Sequence, residues 1–190
     1  PAWRSALALL LIELGRPDEA RAEFESTAEG GFSEFPRDAN WLIAITLLAE
    51  VCGALGDAAH AEELYGLLAP YAGRNVVVGR NATNNGSASR LLGILATARH
   101  EYDLAERHFR EAQEMHVRMG ARPWHARTQL AWAEMLLERH SGDPDKPRIL
   151  GAFNEQTPDW LSFFMFTYFT DRDGKYQLAS LAESGFDPLA

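Results

Sequence analysis

A triplet of Gly, Ala and an aromatic at fixed offsets recurs along this chain and confines most of it to paired helices. Gly15, Ala20 and Phe24 stand at offsets 0, +5 and +9; Gly56, Ala61 and Tyr65 repeat them, and so do His100, Ala105 and Phe109. Glycine ends one helix, a small residue lets the next approach its partner closely, and the aromatic fills the space one turn on. The next register falls on Gly142, Pro147 and Gly151, which a helix interior does not accept. The pattern predicts an all-α fold: a helical-hairpin repeat array over residues 1–148, with an appended segment of different character over 149–190.

Apolar spacing fills in the pairs. A first helix over about 2–14 places Trp3, Leu7, Leu10 and Leu14 on one stripe, expected to be core. Pro17-Asp18-Glu19 opens its partner with Pro in the first turn and acids at the positive dipole end. Trp41, Ile45, Leu48, Cys52 and Leu55 make the stripe of the next helix, and Ala61, Tyr65 and Leu68 that of its return. Residues 71–79 read as a loop whose three valines extend briefly. A third pair spans about 87–99 and 102–119, the latter with Ala105, Phe109, Ala112, His116 and Met119 on one face. A further helix runs from Trp124 to about Arg139. The repeat starts lie 41 and 44 residues apart, longer than the 34 of a tetratricopeptide repeat, and helix pairs of this kind stack into superhelices with a concave surface.

Charge and cysteine usage narrow the function classes. A net charge of −9 disfavours nucleic-acid binding, which needs clustered Lys and Arg. The single cysteine, Cys52, forms no internal disulfide, which points to a reducing, cytoplasmic setting. Pro1-Ala2-Trp3-Arg4 opens directly into a helical pattern without an initiator Met, so the chain reads as cut from something longer. The most apolar run, 160–169, is half the length a membrane span needs.

Candidate site residues are few. None of the six histidines (60, 100, 108, 116, 125 and 140) has Glu three residues before it, so packed, hydrogen-bonded roles are expected for them. Arg74, Asn75 and Arg80 form a possible interaction rim on the array, though turn chemistry and solvation explain them equally well. Asn81-Ala-Thr83 and Asn85-Gly-Ser87 are glycosylation sequons in form only. No phosphate-binding G-x-x-x-x-G-K-[ST] motif is present.

Two resemblances follow. Tyr71-Ala-Gly-Arg-Asn-Val-Val-Val-Gly79, Gly86-Ser87 with Arg90-Leu-Leu-Gly93, Ala105-Glu-Arg-His-Phe109 and Met119-Gly-Ala-Arg-Pro-Trp124 with Ala126-Arg-Thr128 resemble the tetratricopeptide-like C-terminal region of bacterial signalling ATPases of the adenylate-cyclase and LuxR type. That resemblance implies a non-catalytic regulatory arm for signal transduction, binding a protein or peptide on its concave face, with no cofactor.

Residues 150–190 resemble a different family. Nine of the chain's twenty aromatics lie in this segment, and Thr157-Pro158-Asp159 opens a helix that is apolar on nearly every side through Phe169. The run Gly151-Ala-Phe-Asn-Glu-Gln-Thr-Pro-Asp-Trp-Leu-Ser-Phe-Phe-Met-Phe-Thr-Tyr-Phe-Thr-Asp-Arg-Asp-Gly-Lys175, continuing to Ala190, is similar to the oxygenase component of benzoyl-CoA epoxidase, a ferritin-like di-iron protein of aerobic aromatic degradation. The resemblance implies that Asp171 supplies one carboxylate to a di-iron centre; pairing of Asp171 with Lys175 one turn on is the plainer alternative. The family's Glu-x-x-His pairs are absent from the chain. The sequence therefore favours an interaction module over 1–148, keeps a benzoyl-CoA epoxidase fragment as the alternative, and treats the junction as a chimera. The aromatic helix is expected to lie against the helix at 124–139, with Trp160 or Phe164 in contact.

Overall fold

The computed structural model describes residues 2–78 and 83–140. The described residues are mainly helical, with one small sheet. In chain order they form α1 (Ala2–Glu13), α2 (Pro17–Ala28), α3 (Trp41–Leu55), α4 (Ala58–Leu68), β1 (Asn75–Val78), β2 (Thr83–Ser87), α5 (Ala88–Ala98), α6 (Tyr102–Met119) and α7 (Arg122–Arg139). Each of α1, α3 and α5 packs on the helix that follows it, and the same three helices pack on one another in succession; α7 packs on α5 and α6.

The recurring Gly/Gly/His position is a helix stop made the same way each time. Gly15, Gly56 and His100 all take the left-handed conformation, with φ of 69°, 63° and 58°. In each case the next residue reaches back five positions, Arg16 N–H to Leu11 O, Asp57 N–H to Cys52 O and Glu101 N–H to Ala96 O. Those bonds satisfy carbonyls that a helix end leaves orphaned. Gly120 repeats the device after α6, so four of the described helices end by one mechanism. Starts are less uniform: the Asp57 side chain accepts from His60 N–H to cap α4, Ser87 caps α5, and α2 has Pro in its first turn.

The offset +5 and +9 positions carry the packing. Ala20, Ala61 and Ala105 are fully buried, as are Phe24 and Phe109. Phe109 has a small counterpart in the preceding helix, since a Cβ added at Gly93 of α5 would lie 2.6 Å from its ring; between successive pairs, a Cβ added at Gly53 of α3 would meet the Ile94 side chain of α5. One core joins α1–α5 around Ile45, Leu48, Leu64, Leu91 and Leu92, and a smaller one gathers Ala96, Ala105, Phe109 and Met135.

Four expectations differ from the structure. The α1 stripe of Trp3, Leu7, Leu10 and Leu14 is not core: all four are exposed, while Ser5, Ala8 and Leu11 are buried. Helix α1 is apolar almost all round, so periodicity does not choose its inner face; the positions of α2 and α3 do. Met119 is likewise exposed at the end of α6. The region read as a loop with a brief extended stretch forms an antiparallel ladder, β1 against β2, pairing Asn75 with Ser87 and Val78 with Thr83 across an irregularity after Asn75. Helix α7 also begins two residues earlier than Trp124, with Pro123 inside its first turn rather than before it. Missing N–H donors are tolerated at that point. The expected aromatic helix over 157–169 and its contact with α7 lie outside the described residues, as do Arg80 and Asp171.

Candidate functional site

The densest polar chemistry among the described residues lies where the ladder meets α3, α5, α6 and α7. Four residues from three elements build its charged half. Arg90, in the first turn of α5, is almost wholly buried and pairs with Glu50 of α3 through two guanidinium nitrogens, Nη1 donating to Oε2 at 3.2 Å and Nη2 bonding to Oε1. The Arg90 guanidinium carbon stands 5.7 Å from the Trp124 ring centre, and that of Arg127 stands 5.5 Å from the same ring. Burial opposes ionisation of Glu50, but the charge and hydrogen bonds of Arg90, with a smaller contribution from Arg127, outweigh it and hold the carboxyl below the usual range. Glu50 is therefore an anion, committed to Arg90.

The neutral half centres on His116 of α6. Its Nε2 accepts from Ser87 N–H at 2.9 Å. Thr128 Oγ1 lies 3.1 Å from Nδ1 and donates its own proton to the Trp124 carbonyl at 3.0 Å. Thr128 can thus only accept from the ring, so the proton sits on Nδ1. Burial, then the nearby Arg90 and His125, pushes the His116 pKa down to about 4. Gly86, with φ of 79°, lets the ladder close on this ring; a Cβ there would lie 2.9 Å from Trp124 and 3.2 Å from His116 Nε2. A neutral, doubly bonded imidazole is a strut rather than a proton carrier.

This histidine carries a pH prediction. Its folded pKa lies below the unfolded 6.5, so the folded chain binds fewer protons, and the contribution is complete above about pH 6.5 and lost as pH falls toward about 4. The loss amounts to roughly 3 kcal/mol. Proton NMR of the ring is expected to place the His116 midpoint near 4; a midpoint near 6.5 would show that the bonds to Ser87 and Thr128 are not made.

A second chain of polar groups ties the turn before the ladder to α5 and α6. Gly73 N–H donates to Ser89 Oγ, which donates to Glu111 Oε2 at 2.8 Å. Tyr65 OH and His108 Nε2 are 2.8 Å apart. Cys52 is buried, its Sγ faces the Asp57 carbonyl at 3.2 Å, and burial pushes the thiol up to about 12, which removes it as a nucleophile. A shallow hollow of about 410 Å³ lies elsewhere, lined by His100, Glu101, Tyr102, Asp103, Leu104, Arg107 and Arg139.

The candidates drawn from sequence are placed as follows. Arg74 is exposed, and its backbone carbonyl accepts from Ala88 N–H. Asn75 opens β1, its Nδ2 lies 2.9 Å from Met119 Sδ, and its Oδ1 is buried without a partner. The buried Glu50–Arg90 pair was missed. His116 is packed and hydrogen-bonded as expected. Among the described residues no group of three or more His, Cys, Asp or Glu side chains is arranged to hold a metal ion. No helix among them is long and apolar enough to cross a membrane.

Comparison with known proteins finds a relative for part of the chain. The chain is 50% identical over 126 residues to benzoyl-CoA oxygenase component B of Aromatoleum evansii, a match covering 62% of this chain and 26% of that protein. The chain thus spans about a quarter of the relative's length. No family model matches, and no solved structure matches. Since 62% of 190 residues is about 118, the match extends well beyond the last forty residues, and any unbroken stretch of that length includes 73–118. This overturns the reading of the chain as a non-catalytic tetratricopeptide regulator in signal transduction: the motifs at 73–118 that carried the signalling-ATPase resemblance fall inside a stretch similar to an oxygenase component.

Proposed function

We propose that this chain forms part of a benzoyl-CoA oxygenase-type component acting in aerobic aromatic degradation. The observation that carries the proposal is the 50% identity over 126 residues. In this reading the described helices are scaffold: Glu50 is engaged with Arg90 and His116 with Ser87 and Thr128, and the reacting groups lie elsewhere in the complete protein. Asp171 is the residue proposed as a carboxylate ligand of a di-iron centre. The described residues do not themselves fit such a centre, lacking a ligand cluster, so no step is assigned to them. The finer fold reading belongs here too: the succession of α1, α3, α5 and α7, each of the first three with its returning helix, supports a tetratricopeptide-like stack of helical hairpins.

A segment exchange tests the proposal. The stretch of the Aromatoleum evansii protein that aligns with this chain is replaced by the chain's own residues, and benzoyl-CoA-dependent oxygen uptake and bound iron are measured. The expected chimera is folded and iron-loaded and keeps at least about a tenth of the parent rate, a loss of no more than about 1.4 kcal/mol in transition-state stabilisation. Asp171→Asn, in a chimera carrying this chain through residue 190, is expected to lower bound iron. A folded chimera without iron or uptake would refute the assignment.

A further inference from the structure

We propose that His100, Tyr102 and Glu138 form a binding site for a single divalent first-row transition-metal ion. Three donor atoms meet where the stop after α5 touches the end of α7. His100 Nδ1 lies 3.0 Å from the Tyr102 hydroxyl and 3.0 Å from Glu138 Oε1, and that hydroxyl donates to the same Glu138 oxygen at 3.1 Å. The trio holds one imidazole, one carboxylate and one phenol.

A nearly equilateral triangle of this size is one face of an octahedron. Edges of 3.0–3.1 Å put an ion equidistant from the three donors at about 2.1–2.2 Å, the length of imidazole and carboxylate bonds to such metals. A tetrahedral site with the same bonds needs edges of about 3.4 Å. The geometry therefore favours six-coordination, and the imidazole nitrogen favours an ion such as Ni²⁺ over Mg²⁺ or Ca²⁺. Hydrogen bonding alone serves the triangle less well. Tyr102 gives its proton to Glu138, so at most one proton, on Nδ1, faces two oxygens at once. A cation on the open side of the face engages a lone pair of all three donors. Binding needs no oxidation or reduction: the imidazole keeps its proton on Nε2, and the phenol proton passes to water.

The backbone at His100 is the second observation. Among the described residues it is the one non-glycine with positive φ, at a stop that Gly15, Gly56 and Gly120 make without a Cβ. Strained backbone of this kind collects at ligand clamps. Here it carries the imidazole to Tyr102, with ring centres 5.9 Å apart, and to Glu138. The His100 side chain is 70% exposed and that of Glu138 44%. His100 and Tyr102 both line the hollow of about 410 Å³, which leaves room for waters to complete the coordination. The basic residues adjoining them in sequence, Arg99 and Arg139, are each engaged by two carboxylates. With one carboxylate the trio holds one ion, and the inference does not rest on the oxygenase assignment.

Calorimetric titration of Ni²⁺ into the untagged 190-residue chain tests it. The wild type is expected to take up about one ion with a Kd below about 50 μM, and Ni²⁺ is expected to raise its melting temperature. His100→Gly is expected to fold, because glycine serves the same stop elsewhere in the chain, and to bind Ni²⁺ at least about 30-fold more weakly with no shift in melting temperature. Glu138→Gln, which keeps the size of the side chain, is expected to weaken binding at least about tenfold. Absence of binding by the wild type, or wild-type affinity retained in either variant, would overturn the proposal.

Discussion

Replacing Phe109 by Ala is expected to lower the unfolding free energy by about 3–5 kcal/mol, a large part of the margin of an ordinary domain. The ring is fully buried, stacks on Trp132 with centroids 6.5 Å apart, and fills a notch that exists because residue 93 has no side chain. Glycine within α5 costs about 1 kcal/mol of helix propensity, and the ring is what makes that cost worthwhile. Gly93→Ala alone is therefore expected to destabilise, because its Cβ would stand 2.6 Å from the ring, closer than any relaxed contact. In the Phe109→Ala background that methyl enters vacated space, so the two losses combine to less than their total, with a coupling of about 1–2 kcal/mol. Urea unfolding of the four variants at unchanged m-value measures this. Strict additivity would mean that the ring and the glycine do not face each other.

The stops and pairings of this fold were legible because they are local. The helix stops at Gly15 and Gly56 are written in one residue each. The inward face of α1 was not legible, since its apolar residues cover the whole circumference and only contacts with α2 and α3 decide which of them are buried. Strand β2 was hidden for another reason. Its sequence, Thr83-Asn-Asn-Gly-Ser87, has little strand propensity; it is held by the ladder to β1 and by the bond from Ser87 N–H to His116, 29 residues on. Glu50 and Arg90 are 40 residues apart in sequence, and no spacing rule joins a mid-helix acid to a base that opens another helix. Helix-pair motifs also mislead about function: a small residue against an aromatic says how helices pack, whether the protein is a regulator or an oxygenase component.

Glu50→Leu is the second substitution with a large expected effect, again about 3–5 kcal/mol, because it removes one member of a buried pair and leaves the other charged. Arg90 has nowhere to take that charge: its side chain is 3% exposed, its Nε has no partner, and Trp124 and Arg127 lie close by. The companion change Arg90→Met removes the stranded cation and keeps the apolar stem, so the double variant is expected to recover most of the loss, leaving within about 1 kcal/mol of wild type. Acid reports on the same pair. The Glu50 carboxyl is held below its ordinary 4.5, so its contribution is present above about pH 4.5 and is lost as pH falls through the depressed value. The His116 loss comes earlier, between about 6.5 and 4, so the wild-type stability profile should fall in two successive steps. The double variant should keep the His116 step and show a smaller lower one, the remainder belonging to Asp57, whose carboxyl the bonds from His60 hold down against burial. Its loss of both would show that the strut depends on the pair; a lower step of undiminished size would remove the pair from the acid response.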